Sequence, residues 1–558
     1  MKLISKFTNR KGHALPNALN ETAEAAKSGT EVDRREFLAM ASAFGATATT
    51  AYAMLGMATP ANAATPTRGG TMRLEVGVHA FKDTRTLDFA AMAMVASNWL
   101  EYLVEYNNDG TFKPRLLEDW SVNDDATVYT LNIRKGVTWN DGSAFTAQDV
   151  ARNLERWCDA EVEGNSMASR LKTLVDSATN KAADGAIKVI DDHTVQLTCV
   201  SSDITIIPSL ADYPALVVPE SYTPETMLTN PVGTGPYKPV EFEVGVRAAV
   251  ERNTDHTWWG EGTGAWVDRF EFLDYGTDTS AVLGAVEAEE VDVTYNPPSE
   301  HLELMEALGW QVQSIDTGST VVIRPNQKAE VGGTKPYADV RVRKALQMAV
   351  SNELTLELGF NNKGSAAENH HVAPAHPEYA DIGKPVHDPA GAKALMAEAG
   401  MADFEHELIS IDGGFRKDTA DAVAIQLRDA GINVKRTVMP GSTFWNDWTK
   451  YPFSITDWNH RPLGVQLYGI CYQSTAKWNE AGYSNTEFDA LLEKAVALAD
   501  ADQRREVMVK LEQIMVDDAV IIQPYWRSLF RTSKPDVIGA EPHISFLPQL
   551  YKWGWANA

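Results

Sequence analysis

Cysteine is scarce in this chain: three among 558 residues, Cys158, Cys199 and Cys471, too dispersed for a disulfide framework. A Cys158–Cys199 bridge and buried free thiols both remain open. Positive charge is also short, with 50 Lys and Arg against 76 Asp and Glu and a formal charge of -26. No basic run can follow a phosphate backbone, so nucleic acid is excluded as a partner. Beyond the N-terminal region no apolar stretch reaches the roughly 18 residues that a membrane-spanning helix needs. Motifs of covalent chemistry are missing too. There is no G-x-S-x-G elbow, no Walker motif and no paired C-x-x-C, and His406-Glu407 runs on into Leu408-Ile409-Ser410 rather than completing H-E-x-x-H. The chain therefore reads as a non-enzyme without cofactor. What is present is ordinary globular composition, 44% hydrophobic and 23% charged. Single cores stop growing at roughly 250–300 residues, so this length divides into two or three domains.

The N-terminus reads as an export leader. Lys2, Lys6, Arg10 and Lys11 precede Asp33-Arg34-Arg35-Glu36-Phe37-Leu38, and a weakly apolar Ala/Thr/Gly/Met run ends at Ala61-Asn62-Ala63, an A-x-A cleavage pattern. Arg34 and Arg35 are the pair a twin-arginine machinery would read. Seven of the 50 basic and five of the 76 acidic residues lie in residues 1–63, so cleavage leaves a formal charge of -28. No Cys stands at the cleavage point, which argues against a lipid anchor.

Downstream, Thr71 to Val78 reads as a strand, and Thr127 to Ile133 alternates with period two, placing Tyr129, Leu131 and Ile133 on one face. Asn140-Asp141-Gly142 supplies a tight turn, and Thr146 with Asp149 opens a helix through Trp157. Gly233-Thr234-Gly235 is followed by Pro236, so it opens no helix and is not a dinucleotide loop. From Ala338 helices and strands alternate: a helix over Val340 to Phe360, a helix over Pro389 to Glu398, a strand from Glu407 to Ile411, a helix over Asp418 to Asp429 and a strand from Asn433 to Met439. Ser484 and Glu487 form an expected capping box before the apolar stripe Phe488, Leu491, Leu492, Ala495 and Val496. Val520-Ile521-Ile522 marks a strand that leaves this region. Two crossovers, near 331–338 and 523–530, would make a hinge.

This order resembles the extracytoplasmic solute-binding proteins of ABC importers, in the peptide/nickel/opine class known as family 5. The residues that carry it are Leu117-Glu118-Asp119-Trp120-Ser121, Tyr129 to Gly142, Thr146 to Val150, Gly233 to Tyr237, Asp339 to Ala345 and Tyr483-Ser484-Asn485. The resemblance covers Gly69 to Trp555 and implies an α/β, two-lobed periplasmic binding protein fold of class II type with an extra α/β subdomain. The expected division is a leader at 1–63, lobe I at 64–110, the inserted subdomain at 111–211, lobe I again at 212–330, lobe II at 331–524 and a return to lobe I at 525–558. It implies a periplasmic monomer that captures a short peptide or peptide-like solute by closure and passes it to an inner-membrane permease. A metal chelate or an opine is the alternative ligand. An exported hydrolase on the same fold, and a scaffold or chemoreceptor partner, are the alternatives from other classes.

The segment Phe444 to Ser474 is the expected recognition surface. Trp445, Trp448, Trp458 and Tyr468 offer flat apolar walls, Asp457 can hold an ammonium, and Arg461 can grip a carboxylate with two parallel hydrogen bonds. By resemblance, Asp457 and Arg461 face the cleft. The same segment also allows Trp445 and Trp448 to be core residues and Asp457 to pair with Arg461. The cluster His370, His371, His376 and His387 is the best metal candidate, but with three prolines and no supporting acid it reads as a solvated surface loop.

Overall fold

The computed structural model describes residues 7–9, 12, 14–27, 32, 34–58 and 65–557. Its spine is one long mixed sheet. The strands lie in the order Tyr237–Glu243, Arg247–Arg252, Arg269–Leu273, Thr71–Glu75, Val293–Thr294, Tyr525–Ser533, Gln311–Pro325, Phe453–Trp458, His406–Ile411, Val434–Met439. Thr71–Glu75 is parallel to both its neighbours, as are the strands of the second half, where helices supply the crossovers. The two central strands join the halves. Gln311–Pro325 pairs with Tyr525–Ser533 up to Asp316, breaks register, resumes at Thr320 opposite Trp526, and from there also pairs with Phe453–Trp458. The first crossover is thus at 316–320, earlier than the expected 331–338, because a single long strand carries the chain between the halves. The second strand between the halves, Tyr525–Ser533, runs beside it. Thr317 and Thr320 hydroxyls donate to the Arg527 and Tyr525 carbonyls at 2.8 and 2.6 Å, stitching the two crossovers together.

The inserted subdomain is a four-stranded antiparallel sheet, Leu117–Val122, Val128–Ile133, Thr194–Thr198, Ile187–Asp191, backed by the helix Ala147–Trp157. Tyr129, Leu131 and Ile133 are buried as the alternation requires, and the Asp149 carboxylate accepts the Thr146 amide at 2.9 Å. The resemblance blocks have packing reasons. A Cβ on Gly233 would lie 1.9 Å from the Trp99 carbonyl oxygen, so only glycine permits that backbone approach. Asp339 caps the helix Val340–Met348, whose Arg343 donates to the Asp518 carbonyl, while Tyr483 and Asn485 converge on the Asp518 carboxylate.

Local corrections follow the same logic. The expected helix 340–360 is two, Val340–Met348 and Asn352–Phe360, because Ser351 caps the second. The cap of Thr486–Val496 is Asn485 rather than Ser484. Of Val520-Ile521-Ile522 only Ile522 makes a bridge, to Ile323. All three cysteines are free and buried.

The described residues of the stretch expected to be a leader pack on the rest. The helices Arg34–Ala43 and Ala48–Met54 bury Phe37, Leu38, Met40 and Tyr52. Ser42 Oγ accepts the Phe112 amide, Trp120 Nε1 donates to the Ala43 carbonyl, and Arg505 donates to Glu36. Arg34 donates to the Tyr52 hydroxyl and Arg35 lies against Gly110. The expected cleavage pattern at 61–63 lies outside the described residues. No described helix is long and apolar enough to cross a membrane.

Candidate functional site

A strand turns successive side chains to opposite faces, and this divides the expected recognition surface in two. In Phe453–Trp458, Ser454, Thr456 and Trp458 face one way, and Ile455 and Asp457 the other. Thr456 and Trp458 donate to the same Glu480 oxygen at 2.9 and 2.8 Å, and Arg324 pairs with the other oxygen of that carboxylate. Burial outweighs these partners and pushes Glu480 up to about 7. Around them Trp448, Trp458 and Trp478 meet edge to face at 5.6–6.1 Å, and Trp445 extends the row to Phe89 of the first half, 5.9 Å away. Trp445 and Trp448 are half-buried where the two halves meet; Trp458 is buried.

Arg461 and Tyr468 are turned inward. Arg461 pairs with Asp212 of the first half at 3.0 Å, and Arg170 donates to the same carboxylate oxygen at 2.8 Å. Arg170 also lies over the Trp478 ring at 4.8 Å. Asp212, though buried, is held below the usual carboxylate range because its two arginines outweigh desolvation. Tyr468 donates to the His370 carbonyl at 2.6 Å. Asp457 does not pair with Arg461.

The other face of the strand holds a charged cluster at the crossover. Asp457 accepts from Arg416, in the first turn of the helix Gly414–Asp429, and from Arg527 of the second crossover at 3.5 Å. Burial alone would raise Asp457, but Arg416 and Arg527 hold it below its ordinary value. Arg527 and Arg531 are four apart in one strand and so share a face. Arg527 lies over Phe415 at 4.3 Å and Phe546 at 5.6 Å; Arg531 lies over Trp553 at 4.9 Å and Tyr295 at 5.6 Å. Glu75, at the end of the strand Thr71–Glu75, accepts the Tyr295 amide and is pushed by burial up to about 7. First half, crossover and second half each contribute to this cluster. Sequence reasoning missed Arg416, Arg527, Arg531, Glu75 and Tyr295. The signal available was two arginines at i and i+4 in the aromatic strand Tyr525–Ser533, where a charge is costly unless it is used.

Of the histidine cluster only His387 is exposed. His370, His371 and His376 are buried: His371 Nδ1 meets the Tyr472 hydroxyl at 2.6 Å, and His376 stacks on His460 at 4.9 Å. Both rings of that stack lie where a Cβ on Gly318 would be, within 2.5–2.9 Å, so glycine at the first crossover makes room for them. Burial pushes His376 down to about 3. Among the described residues no three His, Cys, Asp or Glu side chains form a group that could hold a metal ion. A cavity of about 60 Å³ lined by Tyr106, Arg115 and His543 lies in the first half, far below the roughly 300–1,000 Å³ of ligand pockets.

A sequence profile of the bacterial extracellular solute-binding proteins, family 5, matches residues 111–480. The chain belongs to that family. It is 27% identical over 498 residues to the periplasmic oligopeptide-binding protein OppA of Salmonella typhimurium, covering 82% of this chain and 87% of that one. It is 25% identical over 448 residues to heme-binding protein A of Haemophilus influenzae, covering 75% and 79%. Among solved structures, the oligopeptide-binding protein AppA of Bacillus subtilis in complex with a nonapeptide superposes with a TM-score of 0.77 at 21% identity, covering 88% of this chain and all of that one. AgaA of A. tumefaciens in complex with agropinic acid gives 0.77 at 23% identity, covering 88% and 99%. The two-lobed binding-protein fold of this family is therefore the fold of this chain.

Proposed function

We propose that this family 5 protein is exported to the periplasm by its twin-arginine leader, captures a short peptide or peptide-like solute as a monomer, and delivers it to an inner-membrane ABC permease. The carrying observation is that Glu75, Tyr295, Arg527, Arg531, Arg416 and Asp457 gather from both halves onto the paired crossovers. A solute bound there touches both lobes at once and has differential affinity for the closed arrangement, which is what a ligand needs in order to shift the population. Most relatives are described as oligopeptide- or dipeptide-binding proteins, which supports the peptide reading. An opine is the second reading, favoured by the AgaA complex with agropinic acid. Native mass spectrometry of the protein recovered from its periplasm, followed by denaturation and identification of the released molecule, tests both. A stoichiometric peptide or opine is expected. Turnover of a bound solute would refute the reading.

A further inference from the structure

The protein is acidic, with a formal charge of -26, yet its crossover cluster is cationic. Three guanidinium groups, Arg416, Arg527 and Arg531, face two carboxyl groups, Asp457 and Glu75. Asp457 serves Arg416 and Arg527 together, and no carboxylate lies within ion-pair distance of Arg531 among the described residues. Arg527 and Arg531 are 2% and 1% exposed. The Arg527 Nε and the Arg531 Nε and Nη1 donate to no acceptor among the described residues. Buried guanidinium N–H groups are costly to leave unmade, so these are donors in want of an acceptor. Two further features add positive potential. The helix Gly414–Asp429 starts beside Asp457 with Gly413 as its cap, no side chain bonding to its first turn and no acid within that turn, so its amide groups add to the positive potential there. Glu75 is a weak counter-charge, since burial brings it to about 7 and leaves it partly protonated at neutral pH. The aromatic rings of Phe415, Phe546, Tyr295 and Trp553 hold the arginine planes in place and leave their edges as the directions of donation.

The geometry points to a net-anionic solute whose carboxylate is gripped by the edges of Arg527 and Arg531 beside the start of the helix Gly414–Asp429. This rests on the binding-protein reading and narrows its ligand from an amphoteric peptide to an acidic one, or to an opine-like polycarboxylate. A guanidinium–carboxylate pair made in a desolvated cleft is among the stronger hydrogen-bonded contacts. A zwitterion can offer one carboxylate but brings an ammonium with it, so a ligand without net negative charge leaves more of the cluster's positive charge uncompensated, and a cationic one adds repulsion.

The test is a charge series titrated into the processed protein by calorimetry: the tripeptides Ala-Glu-Ala, Ala-Gln-Ala and Ala-Lys-Ala, and the simple dicarboxylate glutarate. Ala-Glu-Ala is expected to bind at least about tenfold more tightly than Ala-Gln-Ala, with Ala-Lys-Ala weakest. In Arg531→Gln that preference is expected to fall to about threefold or less, with Arg531→Lys retaining part of it. Because the series on the unmodified protein already discriminates, a poorly folding variant does not weaken the test. Equal or tighter binding of the Gln or Lys peptide overturns the anion inference while leaving the peptide reading standing. Binding of glutarate with none of the tripeptides supports the inference and refutes the peptide reading. Failure of all four probes to bind overturns it.

Discussion

Replacing Asp457 by Asn removes one charge from the crossover cluster while keeping the side-chain volume. Arg527, with a side chain 1% exposed, then loses the only carboxylate within ion-pair distance among the described residues, and Arg416, 26% exposed, loses its direct partner. Two unit charges 3.5 Å apart attract by about 5 kcal/mol at an effective dielectric constant of 20. Part of this is offset because the carboxylate no longer has to be desolvated, and the Arg416 contribution is discounted for solvent screening. Breaking a buried pair from one side costs roughly 3–5 kcal/mol, and the loose Arg527 contact puts this case near 3. For a lobe of about 200 residues that lowers the melting temperature by roughly 6–12 °C. Tryptophan fluorescence during thermal and urea unfolding reads it out, since Trp445, Trp448, Trp458 and Trp478 share the second half with Asp457. The sign with pH is fixed by the depressed Asp457 value. Its stabilisation is complete above the unfolded value of about 3.9 and is lost as pH falls through the lower folded value. The gap between wild type and Asp457→Asn is therefore expected to be flat from about pH 5 to 8 and to narrow below about pH 4. A loss under about 1 kcal/mol at pH 7, or a gap that widens in acid, would refute the reasoning.

Arg461→Ala removes the cross-lobe pair with Asp212 but leaves Arg170 on that carboxylate; small-angle scattering of the processed protein is expected to show a larger radius of gyration, and an unchanged one would mean that the pair does not hold the lobes together. Gly233→Ala places a methyl group 1.9 Å from the Trp99 carbonyl oxygen, so a loss of soluble protein, or of about 3 kcal/mol or more in urea unfolding, is expected. Removing residues 1–63 uncovers Trp120, whose indole N–H bonds to the Ala43 carbonyl; acrylamide quenching of the processed protein is expected to exceed that of the precursor, and equal quenching would rule out leader packing at this site.

The locally encoded elements were legible because their causes are local. The period-two burial of Tyr129, Leu131 and Ile133, the Thr146–Asp149 cap and the stripe from Phe488 to Val496 depend on neighbours within a few residues in sequence. The resemblance blocks were equally legible, since Gly233 and Asp339 answer to a close backbone approach and a helix start. The composition of the proposed site was only half legible. Asp457 and the row of tryptophans were visible as residue types able to bind a solute. Their assignment to one surface failed because a strand alternates its faces, so Trp458 went to Glu480 and Asp457 to Arg416 and Arg527.

What the sequence determined by itself was the α/β class and the membership of a binding-protein family, both of which follow from short-range patterns and their order. Tertiary structure alone decided the partners of the charges. Arg461 meets Asp212 across 249 positions, Arg527 meets Asp457 across 70, and Glu75 meets the Tyr295 amide across 220. No periodicity records such pairings, because they are set by which strands the long Gln311–Pro325 ribbon and its partner bring side by side. The buried histidines had the same cause: a proline-rich loop reads as solvated until the crossover, with Gly318 leaving space for His376 and His460, closes over it.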